Sequence, residues 1–504
     1  MNAQTKTDKG LKANLPTSVR EFSIFINGEW VRPAGAETIT RSSPAHDVPV
    51  ATFINGTKTE VSQAVVAARQ AFEIGDWSNW SSADRAAVLL RTAQGIRDRS
   101  YELALQETLE TGKPISQAQD EVDGAAGLFE YAAGQARALH GETYNNLGDS
   151  MLGLVTREPI GVVGVITPWN FPFFVLCERI PFILASGCTA VVKPSELTSG
   201  TALLLSEILH DAGLPNGVYN VVTGDGASAG QPLIEHPDVD MISFTGSTAI
   251  GRRVLEASVK NIKRVGLELG GNNPQVVFAD ADLDAAADGV AFGFTYHSGQ
   301  VCVSGSRLLV EHSVAKDFEA LLVAKVSKIR VGDPLNPATQ VGSMVSDQHY
   351  NKVSDLIRSG LSQGARLVCG GIEASPQGRF LSPTIFADVN DDMSVACEEV
   401  FGPVLTIQTF DTFEKAVEMA NDTRYGLAAS VWTRDLEKAL IAMRRIKAGR
   451  FWINTTITGG PELPIGGFKE SGIGRETGKY GVEEYTEIKS THIQLGRSEP
   501  RISG

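Results

Sequence analysis

Long apolar runs, paired cysteines and any excess of basic charge are all missing from this 504-residue chain. Its richest apolar stretch, Phe171 to Val192, is broken by Glu178, Arg179 and Pro181, whereas a membrane-spanning helix needs roughly 20 consecutive apolar residues. No membrane span or anchor is expected. Only five cysteines occur, Cys177, Cys188, Cys302, Cys369 and Cys397. They are odd in number and widely spaced in a chain long enough to bury its own core, so they read as reduced thiols and not as a disulfide framework. Acidic residues outnumber basic ones, 59 to 45, for a formal charge of -14, which argues against nucleic acid or an anionic membrane as a partner. Met1 to Arg20 is polar, with no apolar run before a small-residue cleavage site, and the expected compartment is the cytoplasm. Repeats and low-complexity linkers are absent too. A small molecule is the expected ligand.

What is present has the composition of a globular protein of two or three domains, with 42% hydrophobic residues. From about residue 160, short apolar runs alternate with helical patterns: Gly161 to Ile166, Cys188 to Val192, Val218 to Val222 and Val239 to Phe244 read as strands, with stretches such as Thr198 to Ala212 between them. Long crossovers between strands favour a parallel sheet covered by helices, an α/β architecture that commonly binds nucleotides. A second α/β region opens at Asn273 and runs through Arg307 to Val310 and Pro403 to Ile407 to Phe451 to Asn454. Residues 59 to 140 carry helical periodicity and are expected to pack on the first region. Glu484 to Leu495 alternates like a strand after both regions, which suits pairing with another subunit.

Several segments carry groups fit for chemistry. Cys302 ends Gly299-Gln-Val-Cys302 between a glycine turn and a strand, as a nucleophile would, although a free cysteine is also a common small core residue. His297, five residues away, suggests a cysteine hydrolase dyad only weakly, because such bases come from distant sequence. Glu268 lies in the apolar run Gly266 to Gly271. A carboxylate there is either paired structurally or has its pKa raised by desolvation, as a general base needs. Asn170, in Thr167-Pro-Trp-Asn-Phe-Pro172, follows a strand end, where open α/β sheets hold ligands, and its amide suits an oxyanion or simply a turn. Gly246 and Ser247 open a helix after a strand, a place for phosphate at backbone N–H groups. Their Gly-x-x-x-x-Gly spacing is not the Rossmann fingerprint. Lys193 and Glu196 could bond the two hydroxyls of a ribose or be solvated loop charges, and a carboxylate near a 2′-hydroxyl favours NAD over NADP.

Taken in this order, the motifs TPWNFP, KPSE, FTGS, LELGG, GQVC, EEVFGP (398 to 403) and PIGGFKESGIGRE (464 to 476) resemble the aldehyde dehydrogenase superfamily. The resemblance runs from Phe25 to Lys489. It implies Cys302 as nucleophile, Glu268 as hydrolytic base, Asn170 with the Cys302 backbone N–H as oxyanion donors, and Glu476 as a secondary acid in the proton path. Lys193 and Glu196 would bind the adenosine ribose and Ser247 the pyrophosphate, with Trp169 in the wall and Glu399 and Phe401 at the nicotinamide end. Ile166, Gly226 and Gly246 complete the expected NAD contacts. The implied reaction passes from a thiohemiacetal through hydride transfer to a thioester, then by water to a carboxylic acid. Relatives that pass the acyl group to coenzyme A tend to lack the base at Glu268. The implied fold is a Rossmann-like NAD domain (20–138 and 157–269), an α/β catalytic domain (270–467) and a small oligomerisation element (139–156 and 483–504), in a homodimer or homotetramer. No metal is implied.

Substrate choice is less legible. A helix after Pro172 would put Asn170, Phe174 and Glu178 on one face. Glu178 departs from the aromatic residue that many family members carry there, which suggests a cationic aldehyde such as betaine aldehyde or an aminoaldehyde. Glu462 would add negative charge and Tyr296 a cation-π face. Ile465 stands where plant-type betaine aldehyde dehydrogenases carry Trp, leaving that cage incomplete. The alternative is a neutral aliphatic or aromatic aldehyde, with Glu178 paired to a nearby Arg. A non-catalytic NAD-binding protein and a thiol esterase are the competing classes.

Overall fold

The computed structural model describes residues 14–496 and 502. Its first sheet has eight strands, and five of them form the expected parallel core. Their spatial order is Arg264–Glu268, Met241–Thr245, Val162–Ile166, Thr189–Lys193 and Tyr219–Val221. Chain order runs outward in both directions from Val162–Ile166, so the gap between that strand and Met241–Thr245 is a topological switch point, where a crevice opens at the carboxyl ends. The register brings Ile166 level with both Lys193 and Phe244, and Thr245 level with Glu268. The ends of four sequence-distant strands thus reach one edge.

These strands read as near-continuous β-branched runs because both faces are buried. Val163, Val165, Ala190 and Val192 pack into one core with the helices Ser82–Asp98 and Ile115–Ala138. Val162, Ile166, Val191 and Phe244 belong to a second core on the opposite face, as a period of two requires. The helix Lys58–Glu73 covers that face and begins with a Thr57/Glu60 capping box.

A second sheet has seven strands, with Pro274–Val277, Arg307–Glu311, Val404–Phe410, Ala428–Trp432 and Arg450–Ile453 all parallel. The fold class is therefore α/β with parallel sheets, as expected. A three-stranded sheet joins Thr486–Gln494 to Met151–Pro159 and Glu142–Tyr144. Of the segment 483–504 expected to bridge subunits, residue 497 onward lies outside the described residues apart from 502, as do residues 1–13 of the polar N-terminus. No described helix is long and apolar enough to cross a membrane.

The expected helix after Pro172 needs correction. It spans only Pro172–Cys177, so Asn170 precedes it and Glu178 is its C-cap. The chain kinks at Arg179 and restarts as Ile180–Ser186, with Pro181 in the new first turn. Proline fits that position because its missing N–H would have no helical partner.

Candidate active site

One cavity of about 680 Å³ is bordered by Asn170, Glu268 and Cys302 and also by Glu196, Ser247, Glu399 and Phe401. Asn170 is buried just past the strand Val162–Ile166. Its Nδ2 donates to the Gln300 carbonyl at 2.8 Å, which ties it to the cysteine loop and leaves its second amide hydrogen unused by that bond. Glu268 is the last residue of its strand and is followed by Gly270 and Gly271. A Cβ on Gly271 would come 2.6 Å from the Cys302 carbonyl oxygen, so glycine is what lets the two segments touch.

Cys302 lies in a turn ahead of the strand Arg307–Glu311, partly exposed to the cavity. Asn273 fixes that turn, donating from Nδ2 to the carbonyls of Cys302 (2.9 Å) and Ser304 (2.8 Å) while its Oδ1 accepts from the Ala428 N–H. Burial, reinforced by Glu178, Glu399 and Glu268, pushes the thiol up to about 12, with the Val303 N–H opposing. His297 makes no bond to it. Both ring nitrogens of His297 are buried without a partner, and its ring packs edge-on to Phe171. Burial and then Lys113 hold the imidazole well below its ordinary range, which removes the hydrolase dyad.

At the cavity wall, two carboxylates converge on a single buried guanidinium. Arg179 lies 3.5 Å from Glu178 and 3.5 Å from Glu476, and donates to Ser243 Oγ, Thr245 Oγ1 and the Val175 carbonyl. Glu476 also accepts from the Tyr485 hydroxyl at 2.8 Å and from Ser243 Oγ at 3.1 Å. Glu268 has no such partner, and its Oε1 is buried with no hydrogen bond. Its carboxyl is raised well above the usual range by burial, against Arg179, with Glu476 and Glu178 adding to the rise. Such an environment yields a base able to work near neutrality.

The remaining walls offer the groups a dinucleotide needs. Ser247 caps the helix Thr248–Ser258 through the Ile250 N–H, and Gly246 and Ser247 border the cavity, so a helix N-terminus is turned to it. Lys193 is buried with its amine 3.4 Å from Glu196. At the other end, Glu399 Oε1 accepts the Gly271 N–H at 2.9 Å, and burial raises its carboxyl to about 7. Trp169 packs edge-on to Phe401 with ring centroids 5.4 Å apart. Two carboxylates of the kind that accept from a diol, a helix N-terminus and aromatic walls border one cavity, a set of groups that fits the chemistry of NAD.

Not every expected residue borders this space. Phe174, Glu178 and Ile465 do, whereas Tyr296 and Glu462 do not. Tyr296 instead packs against Phe292 and Phe171, and the cation facing Phe171 is Lys113, whose amine bonds Glu107 and Glu121. Glu462 is exposed near Tyr131. Ile166, Lys193, Gly226 and Glu476 are not among the residues that border the cavity, and Gly226 is exposed. Sequence reading missed Arg179, Asn273, His349 and Arg450. Only Arg179 left a signal, as a charge beside Glu178 in an apolar run.

Residues 30–491 match the model of the aldehyde dehydrogenase family. The chain is 41% identical to betaine aldehyde dehydrogenase of Bacillus subtilis, over 93% of this chain and 97% of that protein. Its structure resembles the crystal structure of an NAD-dependent aldehyde dehydrogenase from Sinorhizobium meliloti, with TM-score 0.94, 50% identity and 96% of each chain covered. An indole-3-acetaldehyde dehydrogenase of P. syringae, solved with NAD+, is similar at TM-score 0.92 and 42% identity, covering 95% of this chain and 98% of that one.

Proposed function

The chain belongs to the aldehyde dehydrogenase family and oxidises aldehydes with NAD, and we propose that it carries its substrate through a Cys302 thioester that water then hydrolyses to the carboxylic acid. The observation that carries this reading is the meeting of Cys302, Asn170 and the unpartnered Glu268 carboxyl around one cavity.

Cys302 gives its proton to water in the cavity and its sulfur adds to the aldehyde carbon. The carbonyl oxygen becomes an oxyanion that accepts the free Asn170 amide hydrogen and the Cys302 backbone N–H. Neutral donors suit this step, because they stabilise the charge without trapping it. Lys193, Glu196, Ser247, Glu399 and Phe401, beside Trp169, would hold NAD, which when bound would supply the acceptor for the hydride released as the oxyanion collapses. Glu268 next removes a proton from water, and the oxygen attacks the thioester carbon. Cys302 leaves as thiolate and the acid departs. Glu476, on its Arg179 and Tyr485 contacts, passes the proton on.

For the substrate, we favour a neutral aldehyde with an apolar body. Glu178, the feature that suggested a cationic one, already has Arg179 at 3.5 Å, and the charge of Arg450 also acts on it. Phe171, Phe174, Val301, Ile457 and Ile465 make the nearby wall apolar. Because Glu178 does border the cavity, the cationic reading keeps one supporting observation. Turnover of betaine aldehyde, 4-aminobutyraldehyde and neutral aldehydes of similar size, in wild type and Glu178→Gln, decides between them. Equal effects on charged and neutral substrates support the neutral reading, and a selective loss of the cationic ones overturns it. NADH absorbance on mixing with aldehyde, abolished in Cys302→Ala, tests the chemistry and separates it from a thiol esterase or a non-catalytic NAD-binding protein.

We further propose the domain boundaries given above and a cytoplasmic homodimer or homotetramer, supported by the strand Thr486–Gln494, which pairs on one edge only among the described residues.

A further inference from the structure

Phe401 has a backbone φ of +58°, a left-handed conformation unfavourable for a bulky side chain, so the surrounding structure must hold it there. Its carbonyl oxygen accepts a hydrogen bond from His349 Nε2 at 2.7 Å. A carbonyl can only accept, so this nitrogen carries the hydrogen. His349 belongs to the first turn of the helix Asp347–Ser362, where its own N–H donates to the capping Ser346 Oγ, so the ring projects from a fixed base. Burial lowers the imidazole to about 4, which keeps it neutral in use.

The same ring completes a three-way aromatic contact. His349 lies 5.0 Å from Trp169 and 5.8 Å from Phe401, and Trp169 immediately precedes Asn170. At the loop's other end, Glu399 is tied to the Gly271 N–H, three residues after Glu268. The segment 399–401 is thus clamped twice, at Glu399 by backbone and at Phe401 by His349.

We propose that His349 is a positioning residue that fixes the Phe401 peptide, and with it the nicotinamide end of the cofactor site, against the Trp169–Asn170 turn. This rests on the reading of Glu399 and Phe401 as cofactor contacts. The imidazole borders the same cavity, and the role proposed for it acts through the carbonyl it holds.

Two variants separate donor from ring. His349→Phe keeps an aromatic ring and removes the hydrogen bond, whereas His349→Gln keeps an N–H donor and removes the ring. Titration with NAD alone, followed calorimetrically, should show affinity about tenfold weaker in His349→Phe, the loss expected for one hydrogen bond, and largely restored in His349→Gln. The KM for NAD should rise while that for aldehyde does not. Cofactor-free hydrolysis of p-nitrophenyl acetate, which reads Cys302, Asn170 and Glu268 without NAD, should fall less than NAD affinity does. Unchanged NAD affinity in His349→Phe overturns the proposal, and so does equal loss of ester hydrolysis and NAD binding, which marks a merely structural role. Failure of His349→Gln to recover overturns the part assigned to the hydrogen bond. Glu399→Gln is the control for the underlying reading: if it too binds NAD normally, the assignment of this end of the cavity to NAD fails, whatever His349 does.

Discussion

Arg179 Nε lies 3.5 Å from Glu476 Oε1, with both side chains buried. The same guanidinium faces Glu178, and its Nε, Nη2 and Nη1 donate to Ser243 Oγ, Thr245 Oγ1 and the Val175 carbonyl. Removing one partner of a buried pair leaves the other uncompensated, at a cost of about 3–5 kcal/mol. Arg179→Met should therefore lower unfolding free energy by roughly that amount in denaturant titration. Arg179→Lys keeps the charge but lacks the planar fork, so it should fall between the two. Equal stability of Arg179→Met and wild type would remove the guanidinium from its central place.

Asn170 offers the cavity one amide hydrogen beyond the one it gives Gln300. Asn170→Ala should reduce kcat by about 10²–10³-fold, the usual effect of deleting one oxyanion donor, with a smaller change in KM. Steady-state NADH formation measures both. A fall in affinity with kcat intact would assign Asn170 to ground-state binding instead.

Asn273 makes three buried hydrogen bonds that hold the Cys302 turn, two as donor and one as acceptor. Asn273→Ala strands the carbonyls of Cys302 and Ser304, and each unsatisfied buried group costs about 1–3 kcal/mol. Lower thermal stability together with a changed rate of Cys302 alkylation by iodoacetamide is the expected pair of results. Normal alkylation with lowered stability would separate the turn from the thiol's environment.

The parallel strands were legible because residues buried on both faces leave continuous β-branched runs, as Val162 to Ile166 and Thr189 to Val192 do. Cys302, Glu268 and Asn170 stood out because each lies within three residues of a glycine or proline, at a strand end or in a turn. Tyr296 and Glu462 misled because linear proximity to Cys302 or to Gly466 does not say which way a side chain points. The helix starts only at Pro172, which leaves Asn170 outside it, and ends before the break at Arg179, which leaves Glu178 as its cap. Glu178 illustrates the wider limit: its charge suggested a cationic ligand, and the partner that answers it was the very next residue. Asn273 and His349 act through backbone carbonyls of sequence-distant residues, a relationship that leaves no pattern in one chain.

The pH profile should follow from groups whose pKa values are raised. Burial and neighbouring carboxylates hold Cys302 near 12, and burial raises Glu268. Both must release a proton to act as proposed, so kcat/KM should climb with pH across the neutral to alkaline range and not fall on its basic side. Glu268→Gln removes one carboxylate that raises Cys302. If that field dominates, alkylation of Cys302 at neutral pH becomes faster even as steady-state turnover is lost, and slower alkylation would instead make Glu268 the base for the thiol. Stability gives an independent sign. A folded-state pKa above the unfolded value means that proton binding favours the fold, with stability fully present below the ordinary carboxyl pKa and lost as pH rises through the folded one. Wild type should therefore lose stability relative to Glu268→Gln as pH rises above the ordinary carboxyl pKa, as read by denaturant midpoints across a pH series. A constant difference would mean that Glu268 titrates alike in folded and unfolded chains, and its place as a desolvated base would go with it.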